Sequence, residues 1–298
     1  MEFHGQHGKL VIRGLPSLLA ALTAAGAAFA AHSQPAAPAA PPAPSASDWR
    51  SLDPENTLVI DTTKGRVVVE MRPEIAPLAV ARIKALTRRR YYDEALFYRV
   101  IKGYMAQTGD KGARVYRSDL PNLQAEFTFR PTDKTPFVPL GDIPGGETGF
   151  IGSAPVTIIR AAAGGEARGW ALYCPGTVAM THAAAANTAN SQFFLMRSAA
   201  PPLEKTFTAW GRVVSGMDAV RAIKDGEPVV GPDRMTRVRV LADIPLAQRP
   251  AIRVMDTKSA AFAELFNAAL KAKGAAFSIC DLEVPVQEGT APAAGTSP

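Results

Sequence analysis

The apolar residues of this chain fall in short runs rather than in long periodic stretches, and nothing else restricts its fold as much. NTLVIDTTKGRVVVEMRP reads as a β-hairpin. Leu58 and Ile60 alternate with Val59 and Asp61, Lys64-Gly65 supplies the turn, and Val67, Val69 and Met71 alternate with Arg66, Val68 and Glu70. FYRVI (97–101), GTVAM (176–180), SQFFLM (191–196), FTAWGRVV (207–214) and RMTRVRVLADI (234–244) are further short segments with strand character, and Gly103 breaks the run after the first. Two stretches read as helices. One is 74–90, with Ala79, Ile83 and Leu86 on one stripe; the other is 215–226, with Val220 and Ile223 as apolar positions and Ser215 as its N-cap. Many short strands with two helices between them point to a mainly β fold, a closed antiparallel barrel rather than a parallel βαβ sheet.

The flanks differ from this core. Lys9 and Arg13 precede the uncharged LPSLLAALTAAGAAF, and Ala28-Phe29-Ala30 offers small residues at both ends of a cleavage site, so residues 1–30 are expected to be a signal peptide; an uncleaved membrane anchor is the weaker reading. Residues 31–50 are expected to be a Pro/Ala-rich linker, with order beginning near Trp49. From Lys111 to Pro175 the chain is rich in Gly, Pro and Thr and reads as long loops with two short strands. Beyond Pro245, PAIRVMDT reads as a strand. SAAFAELFNAALKAKG reads as an amphipathic helix with Phe262, Leu265, Phe266, Ala269 and Leu270 on its stripe and Gly274 as its stop; the stripe is expected to pack on the barrel. Residues 288–298 read as a flexible tail.

Composition narrows the function. The formal charge is +6 (33 − 27), and loss of residues 1–30 with Lys9, Arg13 and Glu2 leaves +5 (31 − 26), which is weak evidence for any partner. The basic TRRRYY cluster (87–92) ends a helix, where arginines complement the negative helix end, and nucleic acid is not expected as a partner. No later apolar run is long enough to span a bilayer, so no stable membrane insertion is expected after signal cleavage. With His32 and His182 as the only histidines left, and no C-x-x-C or H-x-x-x-H, neither a metal nor another cofactor is expected, and a Ser-His-Asp hydrolase is disfavoured. Cys174 and Cys280 are the only cysteines. An oxidising compartment would permit a disulfide between them, and two separate buried thiols fit the sequence equally well.

Three blocks carry chemistry in a fixed order: FYRVIKGYMAQTGD (97–110), GTVAMTHAAAANTANSQFFLM (176–196) and PPLEKTFTAWGRVVSGMDAV (201–220). With the hairpin before them they resemble the cyclophilin family of peptidyl-prolyl cis/trans isomerases over roughly Leu58 to Ile244. The resemblance implies an eight-stranded antiparallel β-barrel capped by two helices, with the groove on its outer face. It places an isomerase domain at 51–245, an insertion at about 128–173 and a C-terminal extension with one helix at 246–287.

The resemblance also implies roles. Arg99 takes the catalytic position. Tyr104, Met105, Phe194 and Leu203 match the proline pocket, with Phe207 in its wall where the family often has histidine. Gln107 matches a glutamine that bonds the substrate backbone, Gln192 matches a further groove residue, and His182, beside Thr181, stands where a backbone pairs with the substrate. Pro202 replaces a tryptophan that binds cyclosporin in eukaryotic members, which implies weak sensitivity to the drug. Taken singly, Arg99 reads as a solvated charge, the aromatic residues and Met105 as ordinary core, and the glutamines as loop residues; their joint order favours function. The implied activity is rotation of X-Pro bonds in proline-containing proteins that fold in the periplasm or after secretion, by a monomer. A non-catalytic proline-peptide-binding chaperone or scaffold on the same barrel is the alternative.

Overall fold

The computed structural model describes residues 43–110, 118–160 and 165–289. The expected signal peptide, residues 31–42 of the expected linker and residues 290–298 of the expected tail lie outside these. The described chain begins with β1 (Trp49–Ser51), then forms the hairpin β2 (Thr57–Thr62) and β3 (Gly65–Met71), and continues into α1 (Pro77–Arg88). Strands β4 (Ala95–Leu96), β5 (Arg99–Ile101) and β6 (Met105–Thr108) follow. Next come β7 (Phe137–Ile143), β8 (Gly146–Ile151), β9 (Ala154–Ile159) and β10 (Arg168–Ala171), then β11 (Thr177–Met180), β12 (Phe193–Met196) and β13 (Ala209–Ser215). The chain ends through α2 (Met217–Ala222), β14 (Arg234–Val240), β15 (Ala251–Met255), α3 (Ala260–Lys273) and β16 (Val286–Gly289).

The main sheet is antiparallel, in the order β4-β14-β2-β3-β13-β11-β12-β6-β5. Its first and last segments, β4 and β5, belong to one run bent at Phe97-Tyr98, so the sheet curls round and returns to its start. Leu96 reinforces the return by donating its N–H to the Asp110 carbonyl at 2.8 Å. Counted as one strand, β4 and β5 reduce the nine segments to eight, in keeping with the barrel that the resemblance implies. Alternation sorts the side chains. Leu58, Ile60, Val67, Val69, Met71, Val178, Met180, Phe193, Leu195 and Trp210 fill one core, while Met105, Ala179, Phe194, Met196 and Ala209 belong to a second cluster outside it. Ala79, Val80, Ile83 and Leu86 of α1 and Val220 of α2 close the inner core. Each large side chain fully buried there contributes about 1.5–3 kcal/mol.

Helix starts differ in one detail from expectation. Ala76 offers α1 no cap, and the Glu126 carboxylate receives the Leu78 and Ala79 N–H groups instead, at 2.9 and 2.8 Å. Ser215 does not cap α2: it ends β13, its hydroxyl meets Glu288, and Gly216 occupies the N-cap position with φ +87°. The arginines of 88–89 do find acids. Arg88 pairs with Glu55 and Asp243, and Arg89 with Asp119.

The segment read as loops with two short strands is a four-stranded antiparallel sheet, β10-β9-β8-β7. Gly145 (φ +77°) turns β7 into β8, and Gly152 (φ +58°) turns β8 into β9. The strands behind those turns were obscured because β7 contains Pro139 and Gly141, which an edge strand with a bulge accommodates. A third sheet, β1-β15-β16, joins the two ends of the described chain, so Trp49 and Arg50 are strand rather than linker, and Glu288 and Gly289 are strand rather than tail. Helix α3 is capped by Ser259, which accepts the Phe262 N–H, and ends at Gly274. Its stripe is narrower than expected: Phe262 is fully buried and Phe266 and Ala269 are part-buried, whereas Leu265 and Leu270 are exposed. That stripe covers Phe150 of β8, ring centroids 5.4 Å apart, together with Leu172 and Cys174, so α3 packs on the second sheet and the segment leaving it rather than on the barrel. Cys174 and Cys280 form a disulfide that fastens this layer.

Candidate active site

Strands β5, β6 and β12 lie side by side, and their register sets one row across the outer face. Arg99 stands opposite Gln107, and Gln107 opposite Phe194. Directly opposed residues on a sheet have Cβ atoms roughly 4.5–5.5 Å apart, so a cation, an amide and an aromatic ring are neighbours by construction. The next row carries Ile101, Met105 and Met196.

The polar side of the row is a directed chain of hydrogen bonds. Arg99 Nη1 donates to Gln107 Oε1 over a long 3.4 Å, Gln107 Nε2 donates to the Tyr98 hydroxyl at 2.6 Å, and Tyr98 donates to Gln192 Oε1 at 2.9 Å. Gln192 Nε2 in turn reaches Asp110 Oδ2 at 3.4 Å. Each donor polarises the next in such a chain. Burial pushes the Tyr98 phenol up to about 12, which keeps it a neutral donor at ordinary pH. Gly109, φ +98°, lets β6 run on past β12: a Cβ there would lie 2.7 Å from the Ser191 carbonyl oxygen.

The apolar side is a cluster of side chains. Met105 and Phe194 are buried in it, and the part-buried Tyr104, Leu203 and Phe207 stand against the same cluster. Phe207 meets Phe194 edge-on, ring centroids 5.6 Å apart, and its carbonyl accepts the Tyr173 hydroxyl at 2.9 Å. The His182 ring lies 4.5 Å from Phe207 and 5.5 Å from Phe127, with its nitrogens at 2.6 Å from the Ala183 carbonyl and 2.8 Å from that of Thr206. The Thr181 N–H donates to the Gln192 carbonyl at 2.9 Å.

The expected residues are therefore brought together. Arg99, Gln107 and Gln192 share one hydrogen-bond chain, Tyr104, Met105, Phe194, Leu203 and Phe207 share one apolar cluster, and Thr181 and His182 connect the two through Gln192 and Phe207. Sequence reasoning missed three neighbours. Tyr98 is the hub of the polar chain, and its place between Phe97 and Arg99 was the available signal. Tyr173, in the connection between β10 and β11, holds the Phe207 carbonyl. Glu227 accepts the Arg99 Nε–H at 2.6 Å from 128 residues away, and no local pattern announces it. A half-exposed arginine, fixed donors and an apolar cluster side by side can bind a strained amide whose nitrogen gains a lone pair.

Comparison with known proteins agrees with this geometry. The family described as "Cyclophilin type peptidyl-prolyl cis-trans isomerase/CLD" matches residues 57–242, 186 of the 298. A Brucella suis protein described as a probable peptidyl-prolyl cis-trans isomerase is 36% identical over 208 residues, covering 64% of this chain and 85% of that protein. A peptidyl-prolyl cis-trans isomerase of Arabidopsis thaliana is 32% identical over 171 residues, covering 57% of this chain and 21% of the plant protein. The crystal structure of the cyclophilin AquaCyp293 from Hirschia baltica superposes with a TM-score of 0.73 at 30% identity, over 80% of this chain and 93% of that one. That share exceeds the family-matched span, so the likeness extends beyond residues 57–242. The chain belongs to the cyclophilin-type peptidyl-prolyl cis-trans isomerases.

Proposed function

We propose that the groove on β5, β6 and β12 is the site of prolyl isomerisation, that Arg99 is its catalytic residue, and that its substrates are proline-containing proteins folding in the periplasm. An X-Pro bond turns slowly because C–N resonance imposes a barrier of about 18–20 kcal/mol. Neither a nucleophile nor a base is needed. The site must hold the twisted amide better than either planar form. On this reading the proline ring meets the cluster of Met105, Phe194, Leu203 and Phe207, with Tyr104 at its edge. Gln107, Gln192 and the backbone at Thr181-His182 hold the flanking peptide. Arg99 donates to the amide nitrogen as conjugation is lost.

The observation that carries the reading is the row Arg99–Gln107–Phe194, which puts a permanent cation one strand from the amide and two strands from the ring. Export is supported by the signal-like residues 1–30 and by the Cys174–Cys280 disulfide, since such bonds persist in oxidising compartments. The test is cis/trans exchange of an X-Pro peptide by NMR with the full chain and its Arg99→Ala variant. Loss of one aimed donor is expected to slow turnover by about 10²–10³-fold while peptide binding is largely retained. A folded wild type that binds the peptide without accelerating exchange would make the groove a binding site only, as in a chaperone or scaffold.

A further inference from the structure

The Arg99 side chain is about half exposed, yet it is anchored at two points: Glu227 takes its Nε–H at 2.6 Å and Gln107 takes Nη1. The Glu227 backbone is itself held to the strand that carries Arg99. Val100 and Gly226 exchange both backbone hydrogen bonds at 2.8 Å, and the Val229 N–H donates to the Tyr98 carbonyl at 3.1 Å. The residues on either side of Arg99 thus fix the residues on either side of Glu227.

A second anchor supports the same segment from below. The guanidinium of Arg197, almost wholly buried, bonds the carbonyls of Val220, at 3.1 Å, and Ile223 as well as the Asp225 carboxylate. The Arg197 N–H donates to the Tyr104 carbonyl at 2.8 Å, so one residue ties this arm to the edge of the apolar cluster. Lys224 closes the arm's far side, with Nζ at 2.6 Å from the Val230 carbonyl and its N–H at 2.8 Å from Asp233. An ordinary surface ion pair joins two swinging side chains. Here the carboxylate is carried on a braced arm and meets one specific edge of the guanidinium.

We propose that Glu227 is a positioning residue for isomerisation: it holds the Arg99 guanidinium by its Nε edge and leaves the Nη edge to act on the substrate. The inference rests on the isomerase reading above. An unrestrained arginine is spread over many rotamers, and orientation set in advance is recovered in the transition state rather than in ground-state binding. Because the pair is half exposed, its effect is modest.

The experiment measures exchange of an X-Pro peptide at saturating and sub-saturating concentrations for full-length wild type, Arg99→Ala, Glu227→Ala and Glu227→Gln, with the Nε–Hε resonance of Arg99 followed by NMR. Glu227→Ala is expected to lower kcat about three- to fivefold with peptide affinity unchanged and to shift the Nε–Hε resonance. Glu227→Gln, which still offers an acceptor oxygen, is expected to recover most of that loss. An active wild type with Glu227→Ala equal to it in kcat, or altered only in affinity, overturns this inference and leaves the isomerase reading standing. A wild type that does not accelerate exchange overturns both.

Discussion

The Glu70 carboxylate on β3 receives the Ser153 N–H at 2.9 Å and the Ser153 hydroxyl at 2.6 Å. Arg50 of β1 binds both of its oxygens, at 2.7 and 2.9 Å, and Arg72 adds a contact at 3.0 Å. One buried barrel side chain thereby holds the β8–β9 turn of the second sheet and the edge of the third. Burial alone would push this carboxyl up; the charges of Arg72 and Arg50 and the Ser153 hydrogen bond together outweigh it and hold it below the usual carboxylate range.

Glu70→Gln should therefore destabilise the protein by on the order of 3 kcal/mol at neutral pH, read from the urea unfolding midpoint. The pH dependence has a definite sign. A carboxyl held low in the folded state contributes stability above its unfolded value, about 4.3, and loses it as pH falls through the folded value. The gap between wild type and Glu70→Gln should narrow on acidification from that point. A gap that stayed constant into strong acid would show that Glu70 acts by shape rather than charge.

The Cys174–Cys280 bond closes a stretch of 106 residues, with Cα atoms 5.0 Å apart, and both cysteines belong to the cluster around Phe150 and Phe262 rather than to that of Met105 and Phe194. Restricting the unfolded chain over so long a stretch contributes about 2–4 kcal/mol. Reductant should lower the unfolding midpoint of the wild type and leave a Cys174→Ser/Cys280→Ser variant, already lowered, where it was. Equal midpoints with and without reductant in the wild type would mean that the apolar packing of Phe150, Phe262 and Met255 alone holds the outer layer.

Two buried tyrosines and a part-buried third predict the alkaline limit. Burial pushes Tyr92 and Tyr173 well above the usual phenol value, and Tyr98 to about 12. Tyr92 and Tyr173 donate to the Ser191 and Phe207 carbonyls, each at 2.9 Å, which a phenolate cannot do. With folded values raised above about 10 in the unfolded chain, their contribution is complete below that pH and is lost as pH rises above it. Urea midpoints should fall across that range, with the phenolate absorbance of these three appearing only on unfolding. Phenolate absorbance from all six tyrosines at about pH 10 in folded protein would contradict this.

Legibility followed local geometry. The β2–β3 hairpin, α1 and the strands β11 to β14 were readable because alternation or a helical stripe maps directly onto one buried face. The second sheet was not, since Pro139 and Gly141 in β7 look like breaks until the bulge and the edge position are seen. In α3 an apolar stripe was legible, but how much of it is covered depends on Phe150, from a distant strand, and Leu265 and Leu270 were left outside. The groove residues were legible through the family resemblance of three ordered blocks, and four of them, Arg99, Met105, Gln107 and Phe194, lie on three adjacent strands. Glu227 and Tyr173 reach the same place through tertiary contacts, which no local period encodes.

Tyr98 joins the two glutamines: its hydroxyl accepts from Gln107 at 2.6 Å and donates to Gln192 at 2.9 Å. Phenylalanine there would fill the same space and leave both amides without that partner, at a cost of about 1–3 kcal/mol for the unmet groups. Part of this should appear as lost stability. The rest should appear in turnover, because a Gln107 amide released from Tyr98 can turn its oxygen away from Arg99. Tyr98→Phe is expected to lower kcat/KM about tenfold, equivalent to about 1.4 kcal/mol. Tyr91→Phe is the control, since among the described residues that hydroxyl's contact is with Ser191 at 3.3 Å, outside the chain of bonds. Equal kcat/KM in the two variants would mean that Tyr98 merely supports the fold, and that Arg99 is oriented without the glutamine chain.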